Sequence, residues 1–336
     1  MALQVFPVMC GDEESNRNVT EEEQIIKVRA LSPTVAKFAA KRYREDPERI
    51  VEEITELREW ICNHRTFTMR RNAQFLLSFL RQANHDVGAA KGKMEIFYLL
   101  REKYTDCLSS PDLNDPRIKN LICSGLVQVL PRPIHRWGPR VILIRPGAAE
   151  SKFSEFMQLI YIAQELLVND EDNAVIFGVV YLIDCQNINL KKMWNIIHNR
   201  NKFDMIFRYG LRLQAKSIHI INAPFTLKAI LYLAKLFCLI NTTRLPPYSL
   251  NPTNLHAKFS PNILPNEYDG TLGDLCCLSQ IWERKVCGGG DYLMEEFLYG
   301  PINPPVKKTE YSDDHILLQK FISRLIIFGL NMISIF

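Results

Sequence analysis

No C-x-x-C pair occurs among the nine cysteines, which stand at 10, 62, 107, 123, 185, 238, 276, 277 and 287. The odd number and the scatter exclude a disulfide framework and a zinc ribbon, and they read as reduced thiols of an intracellular chain. Also missing are a G-x-S-x-G elbow, a G-x-x-x-x-G-K-[ST] phosphate loop and a dinucleotide fingerprint behind a strand. The stretch "GAAKGK" at Gly88 has the wrong spacing and ends without Ser or Thr. The seven histidines form no H-x-x-x-H pair and neighbour no carboxylate cluster, so no metal site, no catalytic residue and no cofactor is expected. The opening "MALQVFPVMCGDEESN" lacks a basic region followed by a long apolar run. The closing "LIIFGLNMISIF" is 12 residues long, against the roughly 20 apolar residues of a membrane span. A net charge of +4 is too small to announce nucleic acid. The expected location is cytoplasmic, with no transmembrane segment.

What is present is enough apolar material, 47% of 336 residues, to bury a sizeable core. Residues 1–20 are a polar, acidic tail. A helical pattern runs from Glu21 to about Arg44, punctuated by Ser32-Pro33. Asp46 is a natural N-cap ahead of Pro47, and Ile50, Ile54, Leu57 and Ile61 follow at helical spacing. Phe75, Leu76, Phe79 and Leu80 make a further apolar face, and Met94, Phe97, Leu100 and Tyr104 another. These helices form a domain over residues 21–108. After the turn-rich "SSPDLNDPR" the period changes. "LVQVL" and "VILIR" are β-prone, "SEFMQLIYIAQELLV" is helical, "AVIFGVVYLID" reads as a central strand, residues 189–210 are helical and "SIHII" is a strand. Such alternation implies crossovers and a mostly parallel sheet, an α/β domain over residues 115–285. Residues 286–336, introduced by Gly288-Gly289-Gly290, form a loosely attached C-terminal extension.

Two polar residues stand on strands. Asp184, at a strand end where open sheets place ligand-contacting groups, has no base, metal or phosphate loop beside it and reads as a turn or cap residue. His219, between isoleucines, reads as a hydrogen-bonded core histidine. The larger anomaly is apolar surplus. Residues 225–240 carry only Thr226, Lys228 and Lys235 as strongly polar positions, and about 24 Å of helix is too short to span a bilayer. That helix is either buried between layers or lies over an apolar cavity. Phe203, Ile206, Phe207, Leu211 and Ile218, with Val179, Tyr181 and Ile183, supply more large apolar groups than one sheet face needs, which favours the cavity.

These segments resemble the CRAL-TRIO lipid-transfer family, in the pattern of its α-tocopherol transfer protein-like and retinaldehyde-binding branches. "FLLSFLRQANHDVGAA", with Phe79, Leu80 and Arg81, resembles the family's N-terminal helical signature. "IFGVVYLIDCQN" resembles its central strand, "IHIINAPFTLKAILYLAKLF" the strand and gate helix, and "NILPNEYDGTLGDL" the closing L-P-x-E-Y-G-G segment. The match covers about residues 30–285. The resemblance implies a three- to four-helix bundle followed by a mostly parallel sheet that floors a hydrophobic pocket gated by a helix, and a carrier with no enzymatic activity. It implies a pocket of Met157, Ile160, Gln164, Val179, Ile183, Phe203, Ile206, Phe207, Leu211 and Ile218, closed by Phe225, Leu227, Ile230 and Leu231 of the gate. Gln164 is either the group that hydrogen-bonds a ligand head or a helix-surface glutamine. The cargo the resemblance implies is a small hydrophobic lipid of tocopherol, retinoid or similar kind, moved between membranes.

Seven cations, Lys191, Lys192, Arg200, Lys202, Arg208, Arg212 and Lys216, fall in one stretch whose single acid is Asp204. Basic side chains near an anionic leaflet each add about 1 kcal/mol of attraction. Arg208, Arg212, Lys216 and Arg244 are the expected phosphoinositide or membrane contacts, although Gln214 and the lone Arg244 of "INTTR" leave the family's paired basic pattern half present. The alternative function is a phosphoinositide-responsive anchoring module that moves no cargo. Asp269 stands where the family has glycine, which is expected to alter that turn.

Overall fold

The computed structural model describes residues 26–224, 248–250 and 255–302. The acidic tail, the gate helix expected over residues 225–240 with Phe225, Leu227, Ile230 and Leu231, the cation Arg244 and the terminal segment from 303 lie outside the described residues. All elements below belong to the unit that ends at Gly300.

Helix α1 spans Pro33–Tyr43, with Ser32 at its N-cap and Pro33 in the first turn. Residues 26–32 are not helical, so this helix begins later than its periodicity suggests. Helix α2, Pro47–Cys62, opens as its sequence dictates, with the Asp46 carboxylate accepting from the Glu48 amide at 3.1 Å. Asn72 caps α3, Ala73–Gln82, and Asp86 caps α4, Val87–Lys103. Ile54, Leu57, Leu76, Leu80, Met94 and Phe97 are buried on the inward faces of these helices. The linker before the sheet contains one more helix, α5, Pro116–Cys123, capped by Asp115.

The sheet has the order β1-β2-β3-β4-β5, formed by Val127–Val129, Arg140–Ile144, Val179–Asp184, Ala215–Ile221 and Tyr248–Leu250. Strand β1 is antiparallel to β2, and every other neighbouring pair is parallel. Helix α6, Phe153–Asp170, crosses from β2 toward β3. The apolar run from Ala174 is not strand throughout, contrary to its sequence pattern, because Asp172–Phe177 is a short helix, α7, and the strand starts at Val179. The break falls on Gly178, which has φ +76°, and a Cβ there would collide with the Gln214 carbonyl oxygen of the adjoining chain.

Helix α8, Leu190–His198, is followed by α9, Arg200–Met205, and a π-helical turn at Ile206–Gly210. Helix α10, Leu275–Gly288, packs on α5, and α11 spans Gly290–Glu295. The three glycines do not loosen the chain at α11. Leu293 and Glu296 are buried, and Gly289 fits only because it lacks a side chain, since a Cβ there would strike Leu166.

Charge ties the helical region to the sheet region. Arg212 is fully buried, paired with the Glu165 carboxylate of α6. It donates to Ser78 Oγ of α3 at 3.1 Å and to the Tyr292 hydroxyl of α11 at 3.0 Å. Its guanidinium lies 4.4 Å from the Phe75 ring centroid. Beside it, Arg101 pairs with Glu296 at 3.0 Å, and Tyr161 donates to the same carboxylate at 2.6 Å. A second knot joins Arg81 to Glu45 at 2.8 Å and to Asp172 at 2.5 Å, with His85 held by Glu53 at 2.6 Å.

Candidate functional site

In a strand, alternate side chains face opposite sides, so the register assigns each residue to a face. Val180 and Leu182 of β3, Val141 and Leu143 of β2 and Ile221 of β4 face one side. There they close against Phe259, Ile263, Leu264, Tyr268, Leu275 and Leu278, all buried. His219 shares this face. Its ring meets Phe259 edge-on at 5.1 Å and bonds Ser217 Oγ at 2.9 Å, and burial holds its pKa below the usual imidazole value. Asp184 is a lock for the chain around it. Its carboxylate accepts from the Gln186 amide at 2.9 Å, from Asn222 Nδ2 at 2.9 Å and from the Tyr268 hydroxyl at 2.7 Å. Both residues therefore act as their sequence context suggests, as core and turn groups.

The opposite face carries Val179, Tyr181 and Ile183, aligned with Ile218 and Ile220 through the pairs Tyr181↔Ile218 and Ile183↔Ile220. Toward β2 it is sealed: Met157 and Ile160 of α6 and Val179 are inaccessible to solvent. Toward β4 it is not, because Ile183, Ile218 and Ile220 are only half buried. Phe203 and Phe207, also half buried, stack at 4.2 Å, and Phe207 lies 5.4 Å from Tyr181. Ile206 and Leu211 turn inward and are buried. Of the ten residues expected to line a pocket, the aromatic pair and Ile183 and Ile218 thus share a partly open apolar wall. Met157, Ile160, Val179, Ile206 and Leu211 form its buried backing.

Gln164 is 1% exposed, which removes the surface-glutamine reading. Its Oε1 accepts from the Leu213 amide at 2.8 Å and its Nε2 donates to the Tyr181 hydroxyl. The glutamine is thereby committed to the protein, while the tyrosine, acting as acceptor, keeps its own proton to donate. Burial raises the Tyr181 pKa, so the hydroxyl stays protonated. Sequence reasoning placed Tyr181 among the apolar groups and missed this buried hydrogen bond with Gln164. An oxygen in the middle of an otherwise apolar strand face was the available signal.

The basic stretch is spent largely on internal partners. Lys192 Nζ donates to the carbonyls of Pro146 at 2.9 Å and Ala149 at 2.7 Å, Lys202 pairs with Asp106 at 2.7 Å and Arg208 with Asp204 at 2.5 Å. Lys216 donates to Gln214 at 2.5 Å, and burial, followed by the nearby Arg42 charge, lowers its pKa. Arg212 is the correction: 2% exposed and ion-paired, it lies off any surface that a headgroup could reach. Burial of a lone guanidinium is prohibitive, and Glu165 is what permits this one. Asp269 takes the left-handed conformation, φ +56°, that glycine takes more easily. The turn therefore keeps its shape, because aspartate is among the residues that tolerate this region. Gly270 beside it is irreplaceable, since a Cβ would collide with Leu264.

Among the described residues no group of His, Cys, Asp and Glu could hold a metal ion, and no helix is long and apolar enough to cross a membrane. The seven described cysteines are free thiols.

Residues 128–270 match the CRAL/TRIO domain family. The chain is 26% identical over 276 residues to the human α-tocopherol transfer protein-like protein, an alignment covering 80% of this chain and 78% of that one. It is 24% identical over 248 residues to rat clavesin-1, covering 72% and 70%. The crystal structure of Sfh5 superimposes with a TM-score of 0.41 at 12% identity, over 73% of this chain and 89% of that chain, a likeness too loose to carry weight.

Proposed function

We propose that this chain, which carries a CRAL/TRIO domain, binds one small hydrophobic lipid against the Tyr181–Ile218 face of its sheet and transfers it between membranes without enzymatic chemistry. The observation that carries the reading is the contrast between the sheet's faces. One is closed by the protein's own side chains. The other ends in half-buried Ile183, Phe203, Phe207, Ile218 and Ile220, with the Tyr181 hydroxyl buried behind them and keeping a proton to donate. Few polar groups in an apolar wall is the composition of a lipid site. The match to a tocopherol transfer protein-like relative supports the same class of cargo.

In this reading residues 225–240 provide the cover, an assignment that rests on their composition. Burying about 500 Å² of lipid at roughly 25 cal/mol per Å² is worth on the order of 12 kcal/mol against water. Association entropy removes a large part of that. A bilayer offers the lipid similar surroundings, so exchange is close to balanced and reversible. Contact with the membrane is peripheral in this reading.

Organic extraction and native mass spectrometry of the purified protein test it. The expected result is one apolar molecule per chain, lost from an Ile218→Asp variant. A protein that carries no lipid and takes up none from vesicles would refute the reading.

A further inference from the structure

A second concavity lies away from the wall just described, where the end of β3, the end of α5 and the start of α10 converge. It measures about 460 Å³ and is lined by Ser124, Arg145, Asp184, Glu267, Tyr268 and Ser279, among others. Three of these carry charge, and their internal commitments differ. Asp184 accepts three hydrogen bonds, from Gln186, Asn222 and Tyr268. Glu267 accepts the Leu275 amide on both oxygens, at 2.9 and 3.1 Å, and so caps α10. Arg145 donates only its backbone amide, to the Leu126 carbonyl at 2.8 Å. Its guanidinium has neither an ion pair nor a hydrogen bond among the described residues, although it fronts a cleft with two carboxylates.

A second idle donor stands beside it. Gln128 is 1% exposed, and its Oε1 accepts from Ser279 Oγ at 2.9 Å. Its buried Nε2 has no acceptor among the described residues. An unpaired buried amide costs about 1–3 kcal/mol. Gly125 is what brings these groups together. It has φ +67°, and a Cβ there would lie 2.7 Å from Ser279 Oγ, 3.3 Å from Arg145 Nη1 and 3.5 Å from Gln128 Oε1. Any other residue would both be strained and push into the cluster.

We propose that this cleft binds a small zwitterion, with a phosphate or carboxylate on Arg145 and an ammonium group facing Asp184 and Glu267. One guanidinium against two carboxylates gives the cleft a net negative charge, which disfavours a bare anion. A bare cation would leave Arg145 unpaired. Only a molecule bearing both signs satisfies both ends, and the volume admits an ethanolamine phosphate or an amino acid with room for a further substituent. Because the carboxylates are already hydrogen-bonded, they act on the ammonium chiefly as fixed charges. The guanidinium fork supplies the directional contact. The site is independent of the lipid wall, and failure of either reading leaves the other standing.

Titration calorimetry of the full chain with glycerophosphoethanolamine, inorganic phosphate and ethanolamine tests the proposal. Saturable binding of the zwitterion is expected, with phosphate and ethanolamine each weaker by about tenfold or more. Arg145→Met and Glu267→Gln should each weaken the zwitterion by about tenfold. The Arg145→Met variant should melt where the parent does, because that side chain holds nothing inside the protein. No heat of binding at about 10 mM zwitterion, full affinity in Arg145→Met, or equal affinity for phosphate would overturn it. Competition by phosphatidylethanolamine vesicles would identify a bilayer headgroup as the source. Retained binding without such competition would identify a water-borne molecule, and both of these outcomes support the site.

Discussion

The two faces of one sheet behave differently although their strands are equally apolar. The face bearing Val180, Leu182 and Ile221 meets Phe259, Leu264 and Leu278 and is filled by them. The face bearing Ile183, Ile218 and Ile220 leaves those three half exposed. Hydrophobic composition alone thus does not say whether a surface is core or receptor. The deciding quantity is whether the rest of the chain supplies enough side chains to cover it.

Substitutions can break this contrast. The largest loss is expected on the filled side and at the ionic knot. Phe259→Ala should cost about 3–5 kcal/mol in urea unfolding, through lost transfer energy and the cavity left behind. Arg212→Met should cost a similar 3–5 kcal/mol, because Glu165 is then buried without its partner. A value under about 1 kcal/mol for Phe259→Ala would mean that this face is also loosely packed. On the other side, Phe207→Ala should cost only about 1 kcal/mol in lipid-free protein, since the ring is half exposed. It should nevertheless lower the lipid content of protein purified from cells. Equal costs for Phe207→Ala and Phe259→Ala would erase the distinction.

A smaller effect sharpens it by pH, because the helical region carries the titrating pair. Burial pulls the His85 pKa down, but its contacts with the Glu45 and Glu53 carboxylates outweigh this and hold it above the usual 6.5. The stabilisation is therefore full below about pH 6.5 and is lost as pH rises through the folded value. Burial pushes the Glu45 pKa up, but His85 and Arg81 overcome that and bring it from 4.5 to about 2. Its contribution is present above pH 4.5 and disappears toward pH 2. His85→Gln should flatten the alkaline side of a stability–pH profile and leave Phe259→Ala and Phe207→Ala costs unchanged. Smallest of all, Lys191→Gln, at an exposed position, should reduce sedimentation with anionic vesicles by a factor of about 5 or less at low salt.

Much of the architecture was legible from local signals. Asp46-Pro47 opened a helix because both residues act within their own turn, and the strand ending at Asp184 stood out as an unbroken apolar run. The helix at Asp172–Phe177 was not legible, since residues 174–177 are as apolar as the strand's and only Gly178 marks the change. Arg212 was misread for a deeper reason. Charge on a surface and charge in a core look alike in sequence, and the partner that decides between them, Glu165, is 47 residues away. Gln164 could not be read for the same reason, because its oxygen is claimed by Leu213, a neighbour only in space.

Arg212 also governs where deformation can occur. It sits three residues before β4 and is fastened to α3, α6 and α11 together. The strand that carries Ile218 therefore leaves a fixed anchorage, and in the proposed lipid-binding reading any adjustment of that strand to cargo starts from it. Amide deuterium uptake should register this as a boundary: exchange in α3, α6 and α11 unmoved by loading, and exchange from β4 onward slowed.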